Sequence, residues 1–118
     1  MRNAKTVLLM LLAVVALAGL GACGGSSGPQ EHTFAIQVKD GQPVGGESTF
    51  QVKQGDTVTL NISSDAAGEV HVHGYDLEKE LTPGGTVALS FAAEATGRFH
   101  IEIEETKVEL GVLAVQPR

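Results

Sequence analysis

Residues 55–76 read GDTVTLNISSDAAGEVHVHGYD, and the spacing of apolar residues in that stretch decides the fold class. Val58, Leu60 and Ile62 alternate with Thr57, Thr59 and Asn61. Successive side chains of a strand point to opposite faces, so this period of two puts three apolar side chains on one face and three polar ones on the other. Ser64, Asp65, Ala66, Ala67 and Gly68 then supply turn chemistry. Val70 and Val72 resume the alternation, now against Glu69, His71 and His73. The stretch therefore reads as two half-buried strands joined by a polar loop.

The same period extends in both directions. Upstream, Phe34, Ile36 and Val38 form one strand and Phe50 and Val52 another, separated by Asp40-Gly41-Gln42-Pro43. Gln54-Gly55-Asp56 turns the chain into the strand at Val58. Downstream, Val87, Leu89 and Phe91 follow Pro83-Gly84-Gly85, and Phe99, Ile101 and Ile103 follow Gly97. Leu110, Val112 or Leu113, and Val115 make the last strand. Residues 76–81 carry the one hint of helical spacing, too short for a helix and cut by Pro83. About seven short strands with near-regular turn signals predict an all-β, antiparallel Greek-key β-sandwich over residues 33–118.

The first 22 residues have a different character. Arg2 and Lys5 precede an apolar run over residues 7–18, shorter than the ~20 residues that span a bilayer. Leu20-Gly21-Ala22-Cys23 then resembles a bacterial lipobox. The expected organisation is a lipoprotein signal peptide over 1–22, a lipidated Cys23 with a flexible Gly/Ser tether over 23–32, and one domain over 33–118. Cys23 is the only cysteine, so the domain has neither a disulfide nor a thiolate ligand of its own. The implied address is the extracytoplasmic face of a bacterial membrane, with several acyl chains as the anchor.

Charge narrows the partners. The chain has 8 Lys and Arg against 14 Asp and Glu; without Arg2 and Lys5 the net charge falls from −6 to −8. No basic patch is available to neutralise phosphates, so nucleic acid is excluded as a partner. The acid excess favours cationic partners, metal ions among them.

The turns, the strand ending in EVHVHGYD, the later PGGTVALSFAAEATGRFHIEIEE and the closing LGVLAVQP together resemble cupredoxin-like domains, over about residues 34–117. The likeness is to small bacterial lipoproteins of the plastocyanin and EfeO type. It implies a copper-related sandwich with its first histidine ligand at His71. The remaining type 1 ligands do not carry over. The cysteine position falls at Ile103, residues 104–108 contain no histidine, and the methionine position falls near Glu109 or Leu110. A blue-copper centre needs two imidazoles and a thiolate in a plane, and one of those three is present.

What the histidines can still do follows from strand geometry. His71 and His73 are two residues apart and so share a face, where their ring nitrogens can converge on copper or zinc. Candidate third ligands are His100, Asp76, Glu69 and Glu102. His100 is out of phase with Phe99 and Ile101 and should face solvent. Two placements of the pair stand at this level. Alternation with Val70 and Val72 turns His71, His73 and Tyr75 outward; the resemblance turns His73 inward, with His71 at the rim and Tyr75 in the core. Glu102, Glu104 and Glu105 read as a solvated face beside Lys107, and His32 as part of the tether.

Three functions are weighed. One is a carrier that binds copper or another divalent ion weakly through the His-x-His strand, where an accessible, incomplete site suits hand-over. Another is a metal-free scaffold, monomeric, that docks a cell-envelope protein. The His-x-His run is also similar to that of copper–zinc superoxide dismutases, but four histidines, one of them in the tether, cannot build a dinuclear site. A non-enzymatic role is expected.

Overall fold

The computed structural model describes residues 28–118; the signal-peptide expectation and Cys23 lie outside the described residues. Among the described residues nine strands follow one another: β1 Glu31–Lys39, β2 Gln42–Pro43, β3 Ser48–Lys53, β4 Thr57–Ser64, β5 Gly68–Val72, β6 Leu77–Leu81, β7 Gly85–Ala92, β8 Gly97–Ile103 and β9 Glu109–Gln116. They form a four-stranded sheet in the order β2-β1-β4-β7 and a five-stranded sheet in the order β3-β9-β8-β5-β6.

The alternation seen in the sequence is what joins the two sheets. Val58, Leu60 and Ile62 of β4 face Val70, Val72, Ile101 and Leu113 of the other layer in one buried cluster, all of them fully covered. Burying such a side chain is worth roughly 1.5–3 kcal/mol, so the core is the main source of stability in a domain without a disulfide.

The all-β sandwich agrees with the sequence expectation, with nine strands in place of about seven because Gln42–Pro43, read as a turn, and Leu77–Leu81 each add one; three details differ from it. Both sheets are mixed, because β1 runs parallel to β4 and β3 runs parallel to β9. Alternation decides which side chains point inward, but not which strand lies alongside or in which direction; parallel neighbours arise here because the chain crosses between layers before returning. Residues 77–81 form a strand, β6, which pairs antiparallel with β5 at the sheet edge. The third difference is at the amino-terminal side. β1 begins at Glu31, and His32 belongs to it rather than to a tether. His32 Nε2 lies 2.9 Å from Asp56 Oδ2, and Asp56 also accepts from the amides of Gln30 and Lys53 and pairs with Arg118. The Gln30 and Lys53 amides, then His32 and Arg118, hold its carboxyl down to about 2 against the opposing effect of burial.

In β9 both Val112 and Leu113 are buried, and Leu113 is the one that joins the core cluster. The register of β9 to β8 shifts between Ile101 and Glu102, so that Ile101 pairs with Gly111 and Glu102 with Glu109. The bulge inserts Leu110 and resets the phase. Leu110 and Leu113, three residues apart, are both buried as a result.

Candidate metal centre

β5 lies between β6 and β8. Val70 and Val72 point into the core, so His71 is on the outer face of the five-stranded sheet. His73 stands one residue beyond β5 on that same face, its amide donating to the His100 carbonyl at 2.9 Å. Across the strand gap, His71 pairs in register with Glu102, and the Glu104 amide donates to the Glu69 carbonyl at 2.8 Å. The outer face thus carries three rungs: Glu69 beside Glu104, His71 beside Glu102, and His73 beside His100.

Within this ladder one donor atom from each of His71, His73 and Glu102 falls within 4.8 Å of the other two. The two imidazoles are 4.4 Å apart, centroid to centroid, with their planes inclined at 49°. His73 Nε2 stands 2.7 Å from Glu102 Oε1, and His71 Nδ1 stands 3.3 Å from Glu104 Oε2. Both contacts are close, yet neither has the direction of a hydrogen bond. His71 Nδ1, His73 Nε2 and Glu104 Oε2 are all buried atoms without a hydrogen-bond partner. Buried polar atoms are normally satisfied, because an unsatisfied one costs roughly 1–3 kcal/mol. Here the unsatisfied atoms face one another.

The surroundings are acidic. Contact with His73 leads the effects that hold the Glu102 carboxyl below the ordinary range. Lys107 does the same for Glu104, and Glu104 in turn raises the Lys107 ammonium. Burial, followed by repulsion from Glu78, Glu105, Glu80 and Glu104, pushes the Glu69 carboxyl up. A site with excess negative charge, where imidazole nitrogens and carboxylate oxygens converge, suits a cation. Two imidazoles and a carboxylate without a thiolate match Cu(II) or Zn(II) chemistry.

Of the two placements drawn from the sequence, outward alternation holds for the histidines and the inward placement of His73 does not. The His71 side chain is 17% exposed and that of His73 45%, the reverse of a buried His73 with a rim His71. Tyr75 nevertheless packs inward, 5.1 Å from the Phe91 ring and 4.7 Å from Phe99. Gly74, with a φ of 82°, and Asp76, at 51°, turn the chain between the two faces. The Tyr75 hydroxyl donates to the Ala95 carbonyl at 2.7 Å.

Among the other candidates, Glu102 joins the histidines. His100 is on the same face but outside the cluster, its side chain 58% exposed and its Nδ1 paired with Glu109. Asp76 and Glu69 are also outside the cluster. Of Glu104 and Lys107, read from sequence as a solvated face, Glu104 borders His71 directly and Lys107 reaches Glu102 and Glu104. The period-two phase of Glu102 and Glu104 was the available signal, but only the β5–β8 register brings them to His71. Ile103, at the position the resemblance gives to a cysteine, pairs with Val70 and is buried on the inner face, beside an apolar groove of about 320 Å³. His71 and Ile103 therefore point to opposite faces of one sheet, and no trigonal site can draw on both.

No family model matches the chain, and no curated protein matches it. Solved structures do. A chain of a heme-copper terminal oxidase dimer superposes with a TM-score of 0.63 at 19% identity, over 77% of this chain and 67% of that one. A copper-binding protein in its apo form gives 0.58 at 14% identity, over 78% of this chain and 100% of that one. The fold is cupredoxin-like. A multicopper oxidase from Pseudomonas thermotolerans gives 0.60 at 19% identity, and there this chain spans 75% of its own length but 30% of the oxidase chain.

Proposed function

We propose that this chain is a lipid-anchored, extracytoplasmic cupredoxin-like domain that binds copper as Cu(II) through His71, His73 and Glu102, and hands it to a partner. The observation that carries the reading is the convergence of two buried imidazole nitrogens on carboxylate oxygens, with one donor atom each from His71, His73 and Glu102 within 4.8 Å of one another. Copper is chosen over zinc because the structural neighbours include a copper-binding protein and copper oxidases; the donor set itself accepts either. Three protein donors on a sheet surface leave coordination positions open, as transfer requires. The anchor at Cys23 rests on the lipobox resemblance and the apolar run before it.

Calorimetric titration of the intact chain in detergent with Cu(II) and Zn(II) tests this. The expected result is one-to-one Cu(II) binding at micromolar or tighter Kd, lost in the His71→Ala/His73→Ala variant while its circular dichroism stays native. Absence of binding by the folded protein would refute the metal reading and favour a scaffold that docks an envelope protein.

A further inference from the structure

Lys107 is placed where an incoming ion would meet it. It belongs to the turn joining β8 to β9, a tight hairpin in which its amide donates to the Ile103 carbonyl at 2.8 Å and the Ile103 amide donates to Val108 at 2.9 Å. Lys107 takes a φ of 59°, a left-handed conformation uncommon for a residue other than glycine. That turn folds the side chain back over its own strand. Its ammonium rests 2.6 Å from Glu104 Oε1 and 3.5 Å from Glu102 Oε1.

The two glutamates are shared between this cation and the histidines. The Glu102 oxygen that Lys107 touches is the one 2.7 Å from His73 Nε2. Glu104 turns its other oxygen, Oε2, to His71 Nδ1 at 3.3 Å, and that oxygen is buried without a hydrogen-bond partner. Lys107 thus neutralises Glu104 through the oxygen turned away from His71, and Glu102 through the same oxygen that faces His73. A metal held by His71, His73 and Glu102 competes with the ammonium for the same Glu102 oxygen.

We infer that Lys107 is the resident counter-cation of the site, displaced when a divalent ion binds, and that it sets the affinity of the site. The inference rests on the His71–His73–Glu102 reading. Its physical basis is that a unit charge ~5 Å from a divalent ion weakens binding on the order of tenfold even in a water-like, screened medium. Displacement is easy: the Lys107 side chain is 60% exposed, and exposed ion pairs hold weakly. Its flexible stem lets the ammonium swing into solvent without disturbing the hairpin. Once freed, Glu104 can turn both oxygens to the site.

Two measurements on the intact chain test this, with Cu(II) as the probe. The first is the Kd of wild type, Lys107→Gln and Lys107→Arg. The second is the rate at which an amine-reactive ester modifies Lys107, read by mass spectrometry with and without Cu(II), with Lys39, Lys53 and Lys79 as internal references. The expected result is about tenfold tighter binding by Lys107→Gln, little change in Lys107→Arg, and severalfold faster modification of Lys107 when Cu(II) is present. That acceleration should be missing in His71→Ala/His73→Ala. Binding by wild type with no tightening in Lys107→Gln, or with unchanged Lys107 reactivity, overturns the inference and leaves the metal site standing. Binding by Lys107→Gln alone supports the inference in its strongest form. No binding by any variant overturns both.

Discussion

Replacing Gly74 by alanine probes the turn that separates the histidine face from the core. A Cβ at Gly74 would lie 2.5 Å from Phe99 Cδ1 and 2.7 Å from Cε1, and the residue has a φ of 82°. The Phe99 ring has little freedom to retreat, since Tyr75 packs edge-on against it at 4.7 Å and against Phe91 beyond. Gly84 is the natural control: its φ is 74°, but nothing lies within 4 Å of a Cβ built there. The left-handed backbone alone costs an alanine roughly 1 kcal/mol, and forcing a methyl into a filled site adds about 1–3 kcal/mol. Gly84→Ala should therefore lose about 1 kcal/mol and Gly74→Ala about 3. At roughly 4–8 °C per kcal/mol for a domain of this size, the two melting temperatures should differ by about 10 °C. Urea unfolding followed by circular dichroism supplies both free energies. Equal losses, within about 0.5 kcal/mol, would show that the Phe99 ring does not press on Gly74, and the account of how Tyr75 turns inward would fail with it.

Two further outcomes follow from residues outside the metal cluster. The Asp56 carboxyl is held near 2 against an ordinary value of 3.8, so its stabilising contribution is complete above about pH 4 and is lost as pH falls toward 2. Thermal melts of wild type and Asp56→Asn between pH 6 and pH 2 should show the gap between them closing over that window; a gap that stays constant or widens would contradict the assignment. Tyr75→Phe removes the hydroxyl that donates to the Ala95 carbonyl and accepts from its amide. It should cost about 1 kcal/mol in urea unfolding and leave Cu(II) titration unchanged, whereas altered metal binding would place Tyr75 in the site.

Much of the fold was legible in the chain, for a reason that is local. A strand half-buried in a sandwich must alternate apolar and polar residues, and Val58, Leu60 and Ile62, or Phe99, Ile101 and Ile103, do so without a break. The same rule placed His71 and His73 on one face and opposite the core, because Val70 and Val72 claim the inside. It also misjudged what lies beyond a phase change. Tyr75 is two residues after His73 and yet inside, because Gly74 adopts a backbone angle that alternation does not encode; Leu110 and Leu113 share the core because a bulge absorbs one residue.

The sequence by itself determined an all-β chain, a paired set of histidines and an acidic surface, since each depends on residue type and on neighbours two positions away. Only the tertiary structure decided which strands lie side by side. The parallel pairing of β1 with β4 and of β3 with β9, the strand at residues 77–81, and the anchoring of His32 to Asp56 all bring together segments distant in sequence. The site belongs to that second kind. Glu102 and Glu104 are some thirty residues from His71, and they meet it only because β8 lies antiparallel to β5 in one register. A slip of one residue would turn Glu102 and Glu104 to the other face and leave the histidines without carboxylates.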